Sequence, residues 1–210
     1  MERAEALRRL RVLVGTDLRS LATRFGVTVW KNEKKNKGWA GHVLERYLGL
    51  PMNSSQAPDF GSWELKVIPV RMLGGGIVKV KETMAITMID PMDVLANEFK
   101  QSHLYAKLRK LIVVSRTFAN VQESSSLVHA AVQFDLDDPA LYAAIKSDYD
   151  LVRRIIRTKG HAELTGKMGY CVQPRTKGAG HGSTSRAFYA RPRLVEHICG
   201  GARLDLSAYR

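Results

Sequence analysis

The sequence has little cysteine, no long apolar run and comparatively few acidic residues, and each shortage removes a class of answers. Only Cys171 and Cys199 occur. Two thiols so far apart supply neither a disulfide framework nor a zinc knuckle. The histidines His42, His103, His129, His161, His181 and His197 are scattered without ligand-like spacing. Apolar runs such as Leu111–Val114 are far short of a membrane span. The opening MERAEALRRLRVLVG mixes acids with bases and lacks an apolar signal core followed by a small-residue cleavage site. These absences lead us to expect a cytoplasmic, nucleoid-associated protein with no membrane partner. Repeats, coiled-coil heptads and general disorder are also missing.

What is abundant is positive charge. Lys and Arg number 33 against 20 Asp and Glu, giving +13 over 210 residues and a pI near 10.0. Such an excess favours a polyanionic partner, above all nucleic acid. With 45% hydrophobic and 25% charged residues, the chain has material for a sizeable core.

Helical periodicity predicts helices over 3–13 and 16–25, broken at VGTD, with Thr16 or Asp17 as cap of the second. The pair resembles half of a helix-turn-helix in spacing, but a packing hairpin is the plainer reading. The basic loop KNEKKNK precedes a helix over 38–48, whose Glu45 is flanked by Gly41 and Gly49. A strand is expected at about 62–69, a turn at Gly74–Gly76, a longer strand over 77–89 and a helix around 92–108. Beyond these come strands at 110–115 and 124–134, and a long helix over 138–157 opened by Asp-Pro. Strands at 168–172 and 187–190, a Gly/Ser/Thr loop at 176–185 and a helix near 192–199 complete the chain. The expected class is α/β (mixed α+β), with a central mixed sheet flanked by helices.

The segment PDFGSWELK carries the chemistry. Alternation along a strand puts Trp63, Leu65 and Val67 on one face and Glu64 with Lys66 on the other. Asp59 lies just before, in a turn where Gly61 can bring the chain back toward Glu64. Paired carboxylates at a strand end suit Mg²⁺, which takes one or two of them together with waters and phosphate oxygens. A lysine beside them can orient an attacking water or stabilise developing charge.

NKGWAGHVLERYLGL followed by PDFGSWELKVIPV resembles the MutH-type DNA endonucleases and their restriction-enzyme relatives, within the PD-(D/E)xK nuclease superfamily. The resemblance continues in ETMAITMIDP, SHLYAKLRKLIVV, GYCVQPRTKG and SRAFYARPRLVEHI, and covers most of the chain from about residue 36. It implies a restriction-endonuclease-like domain over 1–210, with two lobes around a DNA cleft: a catalytic part over about 30–115 and a C-terminal DNA-reading part over about 160–210. It further implies that Asp59 and Glu64 bind Mg²⁺, that Glu45 supports the metal site, that Lys66 serves the attacking water and that Lys107 contacts the reacting site. Lys37 matches a backbone-contacting lysine, while Pro174, Arg175 and Tyr189 fall in segments that read bases. Lys177, Arg186 and Arg191 add basic side chains to the same region. The loop TKGAGHGSTS is expected to order on DNA.

Two features depart from MutH. The four residues FGSW separate Asp59 from Glu64, a shorter gap that is similar to the MvaI- and BcnI-like restriction enzymes. The base-reading Arg-Pro-Lys run appears as Gln173, Pro174 and Arg175. The leading expectation is therefore a Mg²⁺-dependent, sequence-specific restriction endonuclease that cuts double-stranded DNA to 5′-phosphate and 3′-hydroxyl ends, either as a homodimer, which a symmetric site favours, or as a monomer cutting one strand at a time. The alternative is a methyl-directed mismatch-repair nickase, switched on by a repair ATPase. A non-catalytic DNA-binding module is the third reading.

Overall fold

The computed structural model describes residues 1–49, 61–178, 184–201 and 203–209. In chain order the elements are α1 (Arg3–Val12), α2 (Leu18–Arg24), β1 (Trp30–Lys31), β2 (Lys34–Lys35), α3 (Trp39–Tyr47), β3 (Glu64–Met72), β4 (Val78–Val80) and β5 (Met84–Met88). They continue with α4 (Pro91–Ala96), α5 (His103–Leu108), β6 (Lys110–Thr117), β7 (Val128–Asp135), α6 (Pro139–Lys159), β8 (Val172–Thr176), β9 (Arg186–Ala190) and α7 (Pro192–Ile198). The fold is mixed α/β. A four-stranded sheet runs β4-β3-β6-β7, with β3 and β6 parallel and the other pairings antiparallel. A second, antiparallel sheet runs β5-β9-β8, and β1 with β2 forms a small hairpin. Among the described residues no helix is long and apolar enough to cross a membrane.

Strand alternation divides the core in two. Ile112 and Val114 of β6, with Trp63 and Leu65 from β3 and the residue before it, pack beneath α1, α2 and α3. Leu111 and Val113, with Ile68 and Val70, face α5, α6, α7 and the second sheet. Because both faces of β6 are covered, it reads as the continuous run LIVV rather than as an alternating pattern. The helices begin where short polar side chains can take orphan amides. Asp17 accepts from Arg19 N, Ser102 from Tyr105 N, and Asp138 from Ala140 N and Leu141 N. The first two helices bury Leu7, Leu10, Leu18 and Leu21 against the sheet, so the packing hairpin is what they form.

Three expected elements are redrawn. The strand expected over 77–89 is two, β4 in the first sheet and β5 in the second. After Lys81 N bonds Pro69 O, the polar run KET buries little and lets the chain pass from one sheet to the other. The helix expected over 92–108 is also two, because Asp90 and Ser102 each cap a helix of their own. Between them Phe99 turns fully inward, 5.1 Å from the Tyr142 ring and 5.7 Å from that of Tyr149. The strand expected at 168–172 begins only at Val172. The amides of Tyr170, Cys171 and Val172 instead donate to the buried Asp148 carboxylate at 2.6, 2.7 and 2.8 Å.

Candidate active site

Glu64 opens β3, paired to Leu111 of the parallel β6, and its side chain lies on the face that continues as Ile68 and Val70. It is 1% exposed. A buried carboxylate is costly unless paired and hydrogen-bonded. Here Oε1 accepts from Lys66 Nζ at 2.5 Å and from Lys107 Nζ at 3.2 Å. Lys66 arrives by period-two spacing on the same strand. Lys107 arrives from α5, which Ser102 caps and Leu104 and Leu108 anchor in the core. A six-residue helix thus holds an almost buried ammonium against a strand end.

Two further acids were expected in the site. Asp59 lies outside the described residues. Glu45 is half-buried on α3, and its Oε1 is 3.8 Å from where a Cβ on Gly41 would stand. Glu45 makes no hydrogen bond or ion pair among the described residues. α3 packs on the Trp63–Leu65 face of β3, and among the described residues no hydrogen bond or ion pair links Glu45 to the Glu64–Lys66–Lys107 group. Among the described residues no three His, Cys, Asp or Glu side chains form a metal-binding cluster. The available donors are carboxylate oxygens, which suit a hard divalent cation needing one or two of them.

A third lysine belongs to this neighbourhood. Desolvation by the surrounding protein, followed by the charges of Lys66 and Lys107, pushes the Lys177 ammonium below the usual lysine range. Lys177 extends the β8–β9 ladder through its N–H to Ser185 O at 2.9 Å. Sequence reasoning placed it with the DNA-reading residues, because nothing local ties it to residues 70 and 111 positions earlier. Residues 179–183 of the TKGAGHGSTS loop lie outside the described residues.

The remaining expected DNA contacts divide into two kinds. Gln173 sits across from Tyr189 in the β8–β9 ladder. Arg175 lies on the same face of β8, its guanidinium 5.6 Å from the Tyr189 ring and bonded to Thr83 Oγ1 at 2.9 Å. Burial pushes the Tyr189 hydroxyl above its ordinary range. Pro174 is buried between them. Lys37 is exposed just ahead of α3. Arg191, by contrast, donates to the carbonyls of Gly166, Met168 and Gly169 at 2.8–3.0 Å, and Arg186 donates to Leu164 O at 3.2 Å. These two guanidiniums hold the turn and strand that carry Gln173 and Arg175.

Sequence reasoning missed Glu123 altogether. It is 1% exposed and accepts from Lys35 Nζ at 2.8 Å, Trp39 Nε1 at 2.8 Å and Arg116 at 3.0 Å. This tie joins the β1–β2 hairpin, the start of α3 and the end of β6. Only the charge itself, in a polar loop, was visible in the sequence.

Comparison with known proteins supplies the remaining support. The model of the family "DNA mismatch repair enzyme MutH" matches residues 48–144. The "DNA mismatch repair protein MutH" of Vibrio cholerae serotype O1 (strain O395) is 28% identical, covering 94% of this chain and 88% of that protein. The protein of the same name from Vibrio campbellii is 25% identical over 94% and 87% of the two chains, and that from Shewanella amazonensis 28% over 83% and 77%. Among solved structures, the "Restriction endonuclease MvaI-cognate DNA substrate complex" aligns with a TM-score of 0.37 and 14% identity, over 85% of this chain and 94% of that one. That likeness is too distant to carry weight, and the assignment stands on the sequence relatives. They match across nearly the whole chain, and the family model spans the strand that carries Glu64 and Lys66 and the helix that carries Lys107. The chain is a DNA nuclease, similar over most of its length to the MutH mismatch-repair enzymes.

Proposed function

We propose that the chain hydrolyses a phosphodiester of double-stranded DNA with Mg²⁺, as a strand-nicking enzyme of the mismatch-repair kind. The observation that carries the chemistry is the buried Glu64 carboxylate held by two lysines, with Lys177 close enough to feel both. Glu64 and Asp59 are the proposed metal ligands, with Glu45 in support. When bound, the ion supplies charge withdrawal from the phosphodiester and makes nearby water more acidic.

The chain's own side chains do the rest. Lys66 orients the water that attacks phosphorus in line, while Lys107 fixes the Glu64 carboxylate and, with Lys177, balances charge accumulating on the phosphoryl oxygens. The bond to the 3′ oxygen breaks, leaving 5′-phosphate and 3′-hydroxyl ends. Lys37 contacts the backbone, and Gln173, Arg175 and Tyr189 face the bases in the groove. Arg186 and Arg191 serve that region through the backbone carbonyls they hold, adding positive charge near the groove. Activation by a mismatch-repair ATPase belongs to this reading, and the names of the curated relatives favour it.

A second reading, a homodimeric restriction enzyme cutting both strands, is favoured by the four-residue FGSW gap and by Gln173 and Arg175 in place of the Arg-Pro-Lys ends. Supercoiled plasmid incubated with the protein and Mg²⁺, against an EDTA control, separates the two. Nicked circles as the end product support the repair role, and linear DNA from an early time supports restriction. No cleavage on substrates of varied sequence and methylation, with Lys66→Ala indistinguishable from wild type, overturns the catalytic reading.

A further inference from the structure

At the far end of β3 from Glu64, cations gather around one aromatic ring. Phe118 follows β6 and is held by its N–H to Val70 O at 2.8 Å. Lys81 Nζ lies 4.3 Å from the ring centroid, Lys35 Nζ 5.8 Å and Arg71 Cζ 5.9 Å. The chain supplies little to neutralise them. Lys35 bonds Glu123, but that carboxylate is shared with Arg116. Lys81 meets Glu82 at 3.3 Å, where the acid is 57% exposed and screened. Arg71 has no carboxylate partner among the described residues. Beside it lies a depression of about 550 Å³ lined by Arg71, Met72, Leu73, Thr117, Phe118 and Ala119.

We infer that Arg71 and Lys81 form a second phosphate-binding site, which takes the backbone of the DNA duplex away from the cut. The aromatic face holds the cations in place without neutralising them. Because Lys81 already lies close to the ring, the site recognises a phosphate rather than a stacked, unpaired base. Lys35 links it to the β1–β2 hairpin and so to Lys37, the backbone contact proposed above. From Glu64 to Arg71 the strand advances about 23 Å at ~3.3 Å per residue. That is about two-thirds of a turn of B-DNA. Because the two residues are seven apart, their side chains leave opposite faces of β3, so the site takes a stretch of duplex beyond the one at the cut. This inference rests on the DNA-endonuclease reading and enlarges its footprint.

The test is the salt dependence of DNA binding, measured by anisotropy with the full chain, a fluorescein-labelled 40-base-pair duplex and EDTA to prevent cleavage. Each lost phosphate contact reduces the slope of log K against log salt by about 0.9. The Arg71→Gln/Lys81→Gln variant is expected to lose about 1.8 from the slope, and each single substitution about half of that. The charge-conserving Arg71→Lys/Lys81→Arg variant keeps the wild-type slope. A wild-type slope in the Gln variants, with unchanged thermal melting, overturns the proposal. Unchanged DNA binding with loss of binding to a poly-glutamate peptide also overturns it, and makes the patch an acidic-protein surface. Failure of the nuclease reading looks different: wild type would show the expected slope change on mutation yet never cut plasmid with Mg²⁺.

Discussion

Glu64 and Glu123 are each 1% exposed and each held by cations, yet the two sites are built differently. Glu123 is gripped by Arg116, Trp39 and Lys35, which come from separate elements. Arg116 also bonds Ser126 and lies 5.1 Å from the Trp39 ring, so its planar group is fully engaged. Glu64 is held by two lysine ammoniums on one oxygen, with a third lysine in electrostatic reach. Lysine is a compact point charge on a flexible stem, able to exchange a carboxylate for a phosphate or a water. Equal burial and similar pairing therefore serve a tie in one place and, on the proposed function, a reaction in the other.

The sharpest way to break this comparison is Glu123→Ala. Removing one partner of a buried ion pair strands Arg116, and a loss of about 3–5 kcal/mol is expected in urea unfolding. Next in size is Lys66→Ala, expected to lower plasmid cleavage by about 10²–10³-fold, the cost of deleting one charge-stabilising group. Its urea midpoint should move less, since Lys107 still pairs the buried Glu64 carboxylate. If Lys66→Ala destabilised the protein as much as Glu123→Ala, the two sites would be alike and the comparison would fail.

The smallest effect is on acid stability. Burial alone would raise the Glu123 carboxyl, but hydrogen bonds from Lys35 and Trp39 and the charge of Arg116 hold it below the usual glutamate range. The folded protein therefore releases this proton more readily than the unfolded chain. The stability it contributes is present above the ordinary value of about 4.3 and drains away as pH falls through the lower folded value. Glu123→Gln should flatten that acid limb, seen in urea midpoints measured from about pH 6 to about pH 3. An unaltered limb would show that Glu123 is not a source of the acid sensitivity.

Much of this was legible in local sequence. The Thr16–Asp17 pair and Asp138 announced their helices, the run LIVV announced a strand, and the spacing of Glu64 and Lys66 placed them side by side. What was lost was lost to long-range competition. The segment 77–89 has one composition but belongs to two sheets, because β3 and β9 each claim part of it. Residues 168–171 were expected to join a strand, but Gly169 turns through a positive φ and the Asp148 carboxylate takes the amides of Tyr170 and Cys171 that a strand partner would have used.

The sequence by itself determined the charge balance, the helix starts and the period-two pairing of Glu64 with Lys66, because these depend on neighbours within a few residues. Only the tertiary structure decided which distant cations meet which carboxylate. Lys107 reaches Glu64 from 43 residues away and Trp39 reaches Glu123 from 84, and no local propensity encodes such a contact. The parallel pairing of β3 with β6 and the packing of α3 and α5 against the sheet bring them together. Burial then makes each pairing obligatory, since a charge taken out of water must find its partner there.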